Sequence, residues 1–142
     1  MLTIKKFKYN QTDLMEKSHK IRHQVFVIGQ NCPEEIEWEY EEESIHYLVL
    51  KNNKAVATAR YRSTENGYKL ERFAVLESER KNGYGKLVLE AIINDLKNYN
   101  DLIYLHAQIQ VVNFYKKFGF LKYGKKFEEA GIQHYKMILK EI

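Results

Sequence analysis

Residues 2–8 alternate apolar and polar positions, with Leu2, Ile4 and Phe7 set among lysines, which is the period of a strand. From Thr12 the period lengthens. Leu14, Ser18, Ile21, Val25 and Ile28 recur at helical spacing, with Thr12 or Asp13 available to cap the start and Gly29 to end the run. "GQNCPEE" follows as a loop. Three strands are then predicted: His46 to Leu50, Ala55 to Arg62 and Tyr68 to Leu76. The turns "KNNK" and "STENG" between them hold the Asn and Gly that tight turns need, so the three form a meander. The period changes again after Gly85, where Leu87, Val88, Ala91, Ile92 and Leu96 share one helical face through about Tyr99. Leu102 to Gln108 is an apolar run of strand length. "VNFYKKFG" is a short helix stopped by Gly119, and "FLKYGKKF" and "HYKMIL" are closing strands joined by the loop "EEAGIQ". The predicted order is β-α-β-β-β-α-β-α-β-β. A meander that leads into a β-α-β crossover implies an α/β fold, with a mixed sheet of about six to seven strands flanked by helices, in one domain over residues 1–142.

Composition narrows the class. With 142 residues, 44% hydrophobic and 13% aromatic, the chain can bury a core without staples. No apolar run approaches the ~18 residues that span a bilayer, and "MLTIKKFKYN" lacks a signal-peptide core. A cytoplasmic protein with no membrane partner is expected. Cys32 is the only cysteine, which excludes an internal disulfide, and it is expected to be a small structural residue. The five histidines are scattered. His19 and His23 stand at i, i+4 without the residues of a zinc-protease helix, so no metal site is expected.

Charge is unevenly distributed. Residues 1–71 hold 11 basic and 11 acidic residues and residues 72–142 hold 12 and 8, so the whole surplus of +4 lies in the second half. In the neutral half, Glu34 to Glu43 carries seven glutamates in ten positions and no base. A basic half beside an acidic run suits a protein that handles one anionic and one cationic ligand, and solvated surface is the plain alternative. The surplus is dispersed and comes with no recognition motif, so nucleic acid is not an expected partner.

The strand ending at Leu76 and the helix after Gly85 are joined by "ERKNGYG". A helix N-terminus presents unsatisfied N–H groups and the positive end of the peptide dipoles, which favour an anion. Gly83 and Gly85 let backbone approach a ligand closely, and Arg80, Lys81 and Lys86 add positive charge to the same rim. The spacing is neither that of a P-loop nor that of a dinucleotide fingerprint, whose third small position is Val88 here. A pyrophosphate cradle of another kind, or a helix start with two flexible residues, is left.

Arg80-x-x-Gly83-x-Gly85 directly after the strand "RFAV", with "FYKKFGF" some thirty residues later, resembles the GNAT superfamily of N-acetyltransferases. The resemblance implies the GNAT fold and acetyl-CoA as acyl donor. It implies a pyrophosphate held by the Arg80–Lys86 turn (Arg80, Lys81, Asn82, Gly83, Tyr84, Gly85 and Lys86) and a pantetheine arm paired with the backbone of Phe73, Ala74 and Val75. It places Tyr115 near the coenzyme's sulfur and gives Asn113 a bond to the coenzyme. "VFV…Q.CP" at 25–33, "HAQ" at 106–108 and "GIQH" at 131–134 look like the ElaA/YjcF-type subgroup. That subgroup's pattern has Glu at 29 and Pro at 133 where this chain has Gly29 and Gln133, both expected on loops beside the acceptor.

The implied chemistry is acetyl transfer to a primary amine by direct attack on the thioester. A backbone N–H of Phe73–Val75 would polarise the carbonyl, provided that a bulge or splay frees that strand edge from the strand at 102–108. Tyr115, protonated at neutral pH with an ordinary phenolic pKa of ~10, would donate to the departing thiolate. For the base, Glu71 comes first, on the expectation that strand alternation puts it on the same face as Phe73 and Val75. His134 and His46 are the alternatives, imidazole titrating in the useful range. Gln108, His134 and Arg22 are the acceptor-side residues. Trp38 and Tyr40 offer faces for a cationic amine attracted by the glutamate run. The same acidic-loop aromatics and the last strands offer a face for a homodimer. A GNAT-fold acyl-CoA sensor without turnover is the competing function.

Overall fold

A computed structural model describes residues 1–32 and 38–139. Pro33, Glu34, Glu35 and Glu37, the start of the acidic run that was expected to attract an amine, lie outside the described residues. The elements follow the predicted order: β1 (Leu2–Phe7), α1 (Thr12–Arg22), β2 (Ser44–Lys51), β3 (Lys54–Thr64), β4 (Gly67–Val75), α2 (Tyr84–Leu96), β5 (Ile103–Gln108), α3 (Val112–Lys116), β6 (Phe120–Glu129) and β7 (Ile132–Leu139). α1 runs on into a π turn, His23–Ile28, and helical backbone continues through Gly29 and Gln30, so Gly29 does not end the run as expected. Neither Thr12 nor Asp13 caps its start. Gln11 stands at that position without a side-chain cap, and Asp13 adds its charge to the first turn.

The seven strands form one sheet in the order β1-β2-β3-β4-β5-β7-β6, in which only β4 and β5 run parallel. Its hairpins are tight because their central residues accept positive φ: Asn52 and Asn53 (50° and 69°) between β2 and β3, and Ala130 and Gly131 (52° and 77°) between β6 and β7. The second turn shortens the expected "EEAGIQ" loop to two residues, so Glu128 and Glu129 belong to β6, and Gln133 lies within β7 rather than on a loop.

Helices cover the sheet unequally. On one face α2 and α3 lay Val88, Leu89, Ile92, Leu96 and Tyr115 on Tyr47, Val49, Ala59, Leu70, Ile103 and Leu105. On the other, α1 packs Met15, Ile21 and Val25 against Phe7, Leu48, Leu50 and Ala74. Two irregularities in β4 then position everything that follows. Pairing with β5 covers only Tyr68↔Ile103 to Leu70↔Leu105, after which the parallel strands part. Against β3, Thr58↔Ala74 is followed by Arg60↔Glu71, so β4 carries one extra residue, a bulge at which Arg72 takes a φ of 59°.

The bulge corrects the expectation for Glu71. Uninterrupted alternation would put residues 71, 73 and 75 on one face, but one inserted residue reverses the phase. Leu70, Phe73 and Val75 pack toward α2 and α3, whereas Glu71 pairs across the ladder with Arg60 on the α1 face.

Candidate functional site

The parting of β4 and β5 opens a cleft of about 610 Å³ between Arg72–Val75 on one side and Leu105–Gln108 on the other. At one end stands the start of α2. Gly83 occupies the N-cap in the left-handed region (φ 81°), and no side chain caps the helix. The first helical bond is Leu87 N–H to Gly83 C=O, 3.0 Å, which leaves the N–H groups of Tyr84, Gly85 and Lys86 without intrahelical acceptors. No acidic residue stands in this first turn. Arg80, Lys81, Gly83, Tyr84, Gly85 and Lys86 all line the cleft. A methyl group on Gly85 would meet Phe114 Cζ at 3.6 Å and Val75 Cγ2 at 3.8 Å, two cleft-wall atoms, so at this position hydrogen keeps the wall open. Arg80 Nε donates to the Val75 carbonyl (3.1 Å) and ties the turn to the end of β4. Asn82 donates Nδ2–H to the Glu79 carbonyl (3.1 Å) and shapes the turn without lining the cleft. Asn113 is exposed on α3 and does not line it either.

Tyr115 lines the same cleft from α3. Its ring is held edge-on by Phe114, Phe73 and Phe120, with centroids at 5.1, 5.8 and 6.0 Å. Burial pushes its phenol well above the ordinary value, so it is a proton donor throughout the neutral range.

On the α1 face the cleft continues into a recess of about 250 Å³, bounded by Gln30, Cys32, Glu39 and Tyr40, by Lys69, Glu71 and Arg72 of β4, and by Glu129, Ile132 and His134 of the last hairpin. Gln108 stands opposite His134 in the β5–β7 ladder and exchanges amide hydrogen bonds with Gln30 (2.9 and 3.4 Å) across 78 positions of sequence. His134 donates Nδ1–H to the Ile132 carbonyl (2.7 Å), so in the neutral ring it is Nε2 that carries the lone pair. Glu129 Oε1 lies 3.9 Å from that nitrogen, and Glu129 Oε2 accepts from His106 Nδ1 at 3.2 Å. Phe127 braces both rings, stacked on His134 and edge-on to His106. The hydrogen bond from His106 holds the Glu129 carboxyl below its usual value against the opposing effect of partial burial, and Lys69 adds to the lowering. Glu129 does not stand out in the sequence, and His106 enters it only as part of the "HAQ" run, with no role attached. The available signal was the alternation of β5, which puts His106 and Gln108 on one face.

Glu71, the first proposed base, sits in an ionic cluster, as does its neighbour Glu41. Glu71 Oε1 accepts from Arg62 Nε (2.7 Å) and from Arg60 Nη2 and Nε (3.0 and 3.2 Å), with Lys69 Nζ 3.5 Å from Oε2. Burial alone would raise its pKa, but the charges of Arg60, Lys69 and Arg62 outweigh it and hold the carboxyl at about 2, which makes a feeble proton acceptor at neutral pH. Glu41 accepts from Arg22 (2.6 Å) and Arg60 (2.7 Å) and pairs with His19 (2.8 Å). Those hydrogen bonds and charges overcome its burial and also hold it at about 2. Arg22, expected to touch the acceptor, is 1% exposed and does not line the recess. Its place is this buried pairing. His46 is buried, receives no cleft surface, and is pushed by burial to about 4. Of the aromatic faces expected to hold a cation, Trp38 stacks on His19 (4.9 Å) and Tyr40 lies under the Arg62 guanidinium (3.8 Å), so both are engaged by the protein's own groups.

Against this geometry, comparisons with known proteins are concordant. The profile of the acetyltransferase (GNAT) domain matches residues 8–141. YjcF of Bacillus subtilis (strain 168), described as an uncharacterized N-acetyltransferase, is 39% identical over 122 residues, covering 83% of this chain and 86% of the relative. The crystal structure of Escherichia coli ElaA superposes with a TM-score of 0.87 at 25% identity, over 97% of this chain and 99% of that one. A GNAT family acetyltransferase from Elizabethkingia anophelis, crystallised with acetyl-CoA bound, shares the fold with a TM-score of 0.69 at 18% identity, over 96% and 94% of the two chains.

Proposed function

The chain belongs to the GNAT acetyltransferase family, and from that premise we propose that it transfers the acetyl group of acetyl-CoA to a primary amine by direct attack on the thioester. One observation carries the proposal: a single cleft, opened by the parting of β4 and β5, joins an uncapped helix N-terminus at one end to a buried, protonated Tyr115. The N–H groups of Tyr84, Gly85 and Lys86, with Arg80 and Lys81 on the rim, suit a pyrophosphate. The edge of β4 over Phe73–Val75 has no β5 partner and suits the pantetheine arm, with one N–H left to stabilise charge on the carbonyl oxygen.

The amine must shed a proton before its nitrogen can attack. We assign that step to His134 Nε2, the acceptor nitrogen of the tautomer that the Ile132 contact selects. The C–N bond forms as the C–S bond breaks, and Tyr115 Oη–H protonates the departing sulfur. Of the three ammonium hydrogens, one stays on the amide, one replaces the Tyr115 proton delivered to the thiol, and one leaves to solvent. Glu71, in this scheme, holds the bulged strand in place rather than accepting protons. A reducing cytoplasm, where acetyl-CoA and a reduced Cys32 coexist, is the compartment we assign.

Isothermal titration of the protein with acetyl-CoA, followed by thiol release over a panel of primary amines, tests the proposal. Micromolar binding and amine-dependent thiol release are expected, and His134→Gln should lower kcat with the coenzyme Kd unchanged. Absence of acetyl-CoA binding overturns the proposal. Binding without thiol release for any amine leaves a coenzyme sensor in its place.

A further inference from the structure

His134 and Glu129 present a pair of facing acceptors. Each side chain has one polar atom committed and one open. His134 gives Nδ1–H to Ile132, which leaves Nε2 as a lone pair, and Glu129 gives Oε2 to His106, which leaves Oε1. The two open atoms face each other at 3.9 Å at the rim shared by the cleft and the recess. That separation is too long for a direct hydrogen bond. A single nitrogen about 2.8 Å from each, the length of a charge-assisted bond, spans it at a bond angle its hydrogens can serve. Two facing acceptors, one of them an anionic carboxylate, call for a cationic ligand with more than one N–H.

We infer that Glu129 Oε1 and His134 Nε2 together seat the acceptor's ammonium group, making Glu129 the residue that selects a primary ammonium cation. The inference deepens the transferase proposal and rests on it for the identity of the ligand as acceptor. It also explains how a protonated amine, the dominant form of an alkylamine at pH 7, is captured first and delivered already in contact with its base. Lys69 shares the wall of the recess, but its Nζ is directed at Glu71. Phe26 and Ile132 supply apolar surface beyond the seat, and the volume of about 250 Å³ suits a short alkyl stem.

The test needs no coenzyme, so its outcome is separable from that of the transferase proposal. The imidazole C–H resonance of His134, assigned by its loss in His134→Gln, is followed at pH 8 during titration with n-butylammonium and, separately, with n-butyltrimethylammonium, which has the same charge and no N–H. A saturable shift with n-butylammonium is expected, at least tenfold weaker with the trimethyl analogue. Glu129→Gln should weaken n-butylammonium binding at least fivefold, Glu129→Asp should fall between, and acetyl-CoA affinity should be unchanged in both. Equal binding of the two cations, no shift at His134, or unaltered affinity in Glu129→Gln would overturn the inference. The comparison of the two cations uses the unaltered protein and stands even where a variant folds poorly.

Discussion

Phe73 of β4 and Tyr115 of α3 meet edge to face, their ring centroids 5.8 Å apart at an interplanar angle of 74°. The contact fastens the strand edge proposed for the pantetheine arm to the proposed acid. It exists because the bulge at Arg72 turns Phe73 toward α3. The positions of donor and acid are therefore set by one packed aromatic pair, whose geometry contributes about 1 kcal/mol beyond simple burial.

Tyr115→Phe removes the hydroxyl and keeps the ring. Its stability should stay within about 1 kcal/mol of the parent and its acetyl-CoA Kd should be unchanged, while kcat falls about 100-fold, the scale of a lost general acid. Denaturant titration, calorimetry and thiol-release kinetics on the same preparation separate the three quantities. Unchanged kcat would remove Tyr115 from the reaction.

Glu71→Ala removes the carboxylate from buried Arg60 and half-buried Arg62. Removing one partner of a buried pair in this way costs about 3–5 kcal/mol. The loss should appear as a lower urea midpoint, with Glu41→Ala behaving alike because it shares Arg60. If Glu71 were instead the base, Glu71→Gln would abolish the ascending limb of the pH–rate profile and spare stability.

Acid should unfold the protein in two stages. An unfolded histidine takes up its proton near 6.5, whereas folded His46 stays neutral down to about 4, so in that window the unfolded chain binds more protons and stability falls as pH falls. Unfolded glutamates protonate near 4.5, whereas folded Glu41 and Glu71 hold out to about 2, so a second and steeper loss follows between those values. Melting temperature measured from pH 8 to pH 3 should be level above about 6.5 and then decline. His46→Asn should remove the first decline and keep the second. A melting temperature level down to pH 4 would contradict the burial assigned to His46.

The two glycines of the helix start should fail differently. Gly83→Ala forces a side chain to φ 81°, where there is room for the methyl but the backbone is strained, and about 1 kcal/mol of stability should be lost. Gly85→Ala meets ordinary contacts at 3.6 and 3.8 Å from residues of the cleft wall. It should fold as the parent does and lose acetyl-CoA affinity tenfold or more. Calorimetry paired with thermal melts reads both, and a Gly85→Ala variant of undiminished affinity would move the coenzyme away from this turn.

The order of elements and the turn proposed to bind an anion were determined by the sequence alone, because both depend on local information. Apolar period distinguishes β4 from α2 within a few residues, and "RKNGYGK" places two glycines and three cations at a helix start whatever the rest of the chain does. The placement of the catalytic candidates was decided only in the tertiary structure. Nothing local to "LERFAV" announces that Arg72 will be inserted as a bulge, since the extra residue is defined by the count on β3. That single residue sends Glu71 to the opposite face from Phe73. Arg22 is drawn into the interior by Glu41, nineteen positions away. Glu129 and His134 face each other because a two-residue turn sets the register of β6 on β7, and His106 joins them from β5 through the same ladder. Charge pairing and cross-strand register depend on residues distant in the chain, so the residues proposed to seat the acceptor came into view only once the strands were paired.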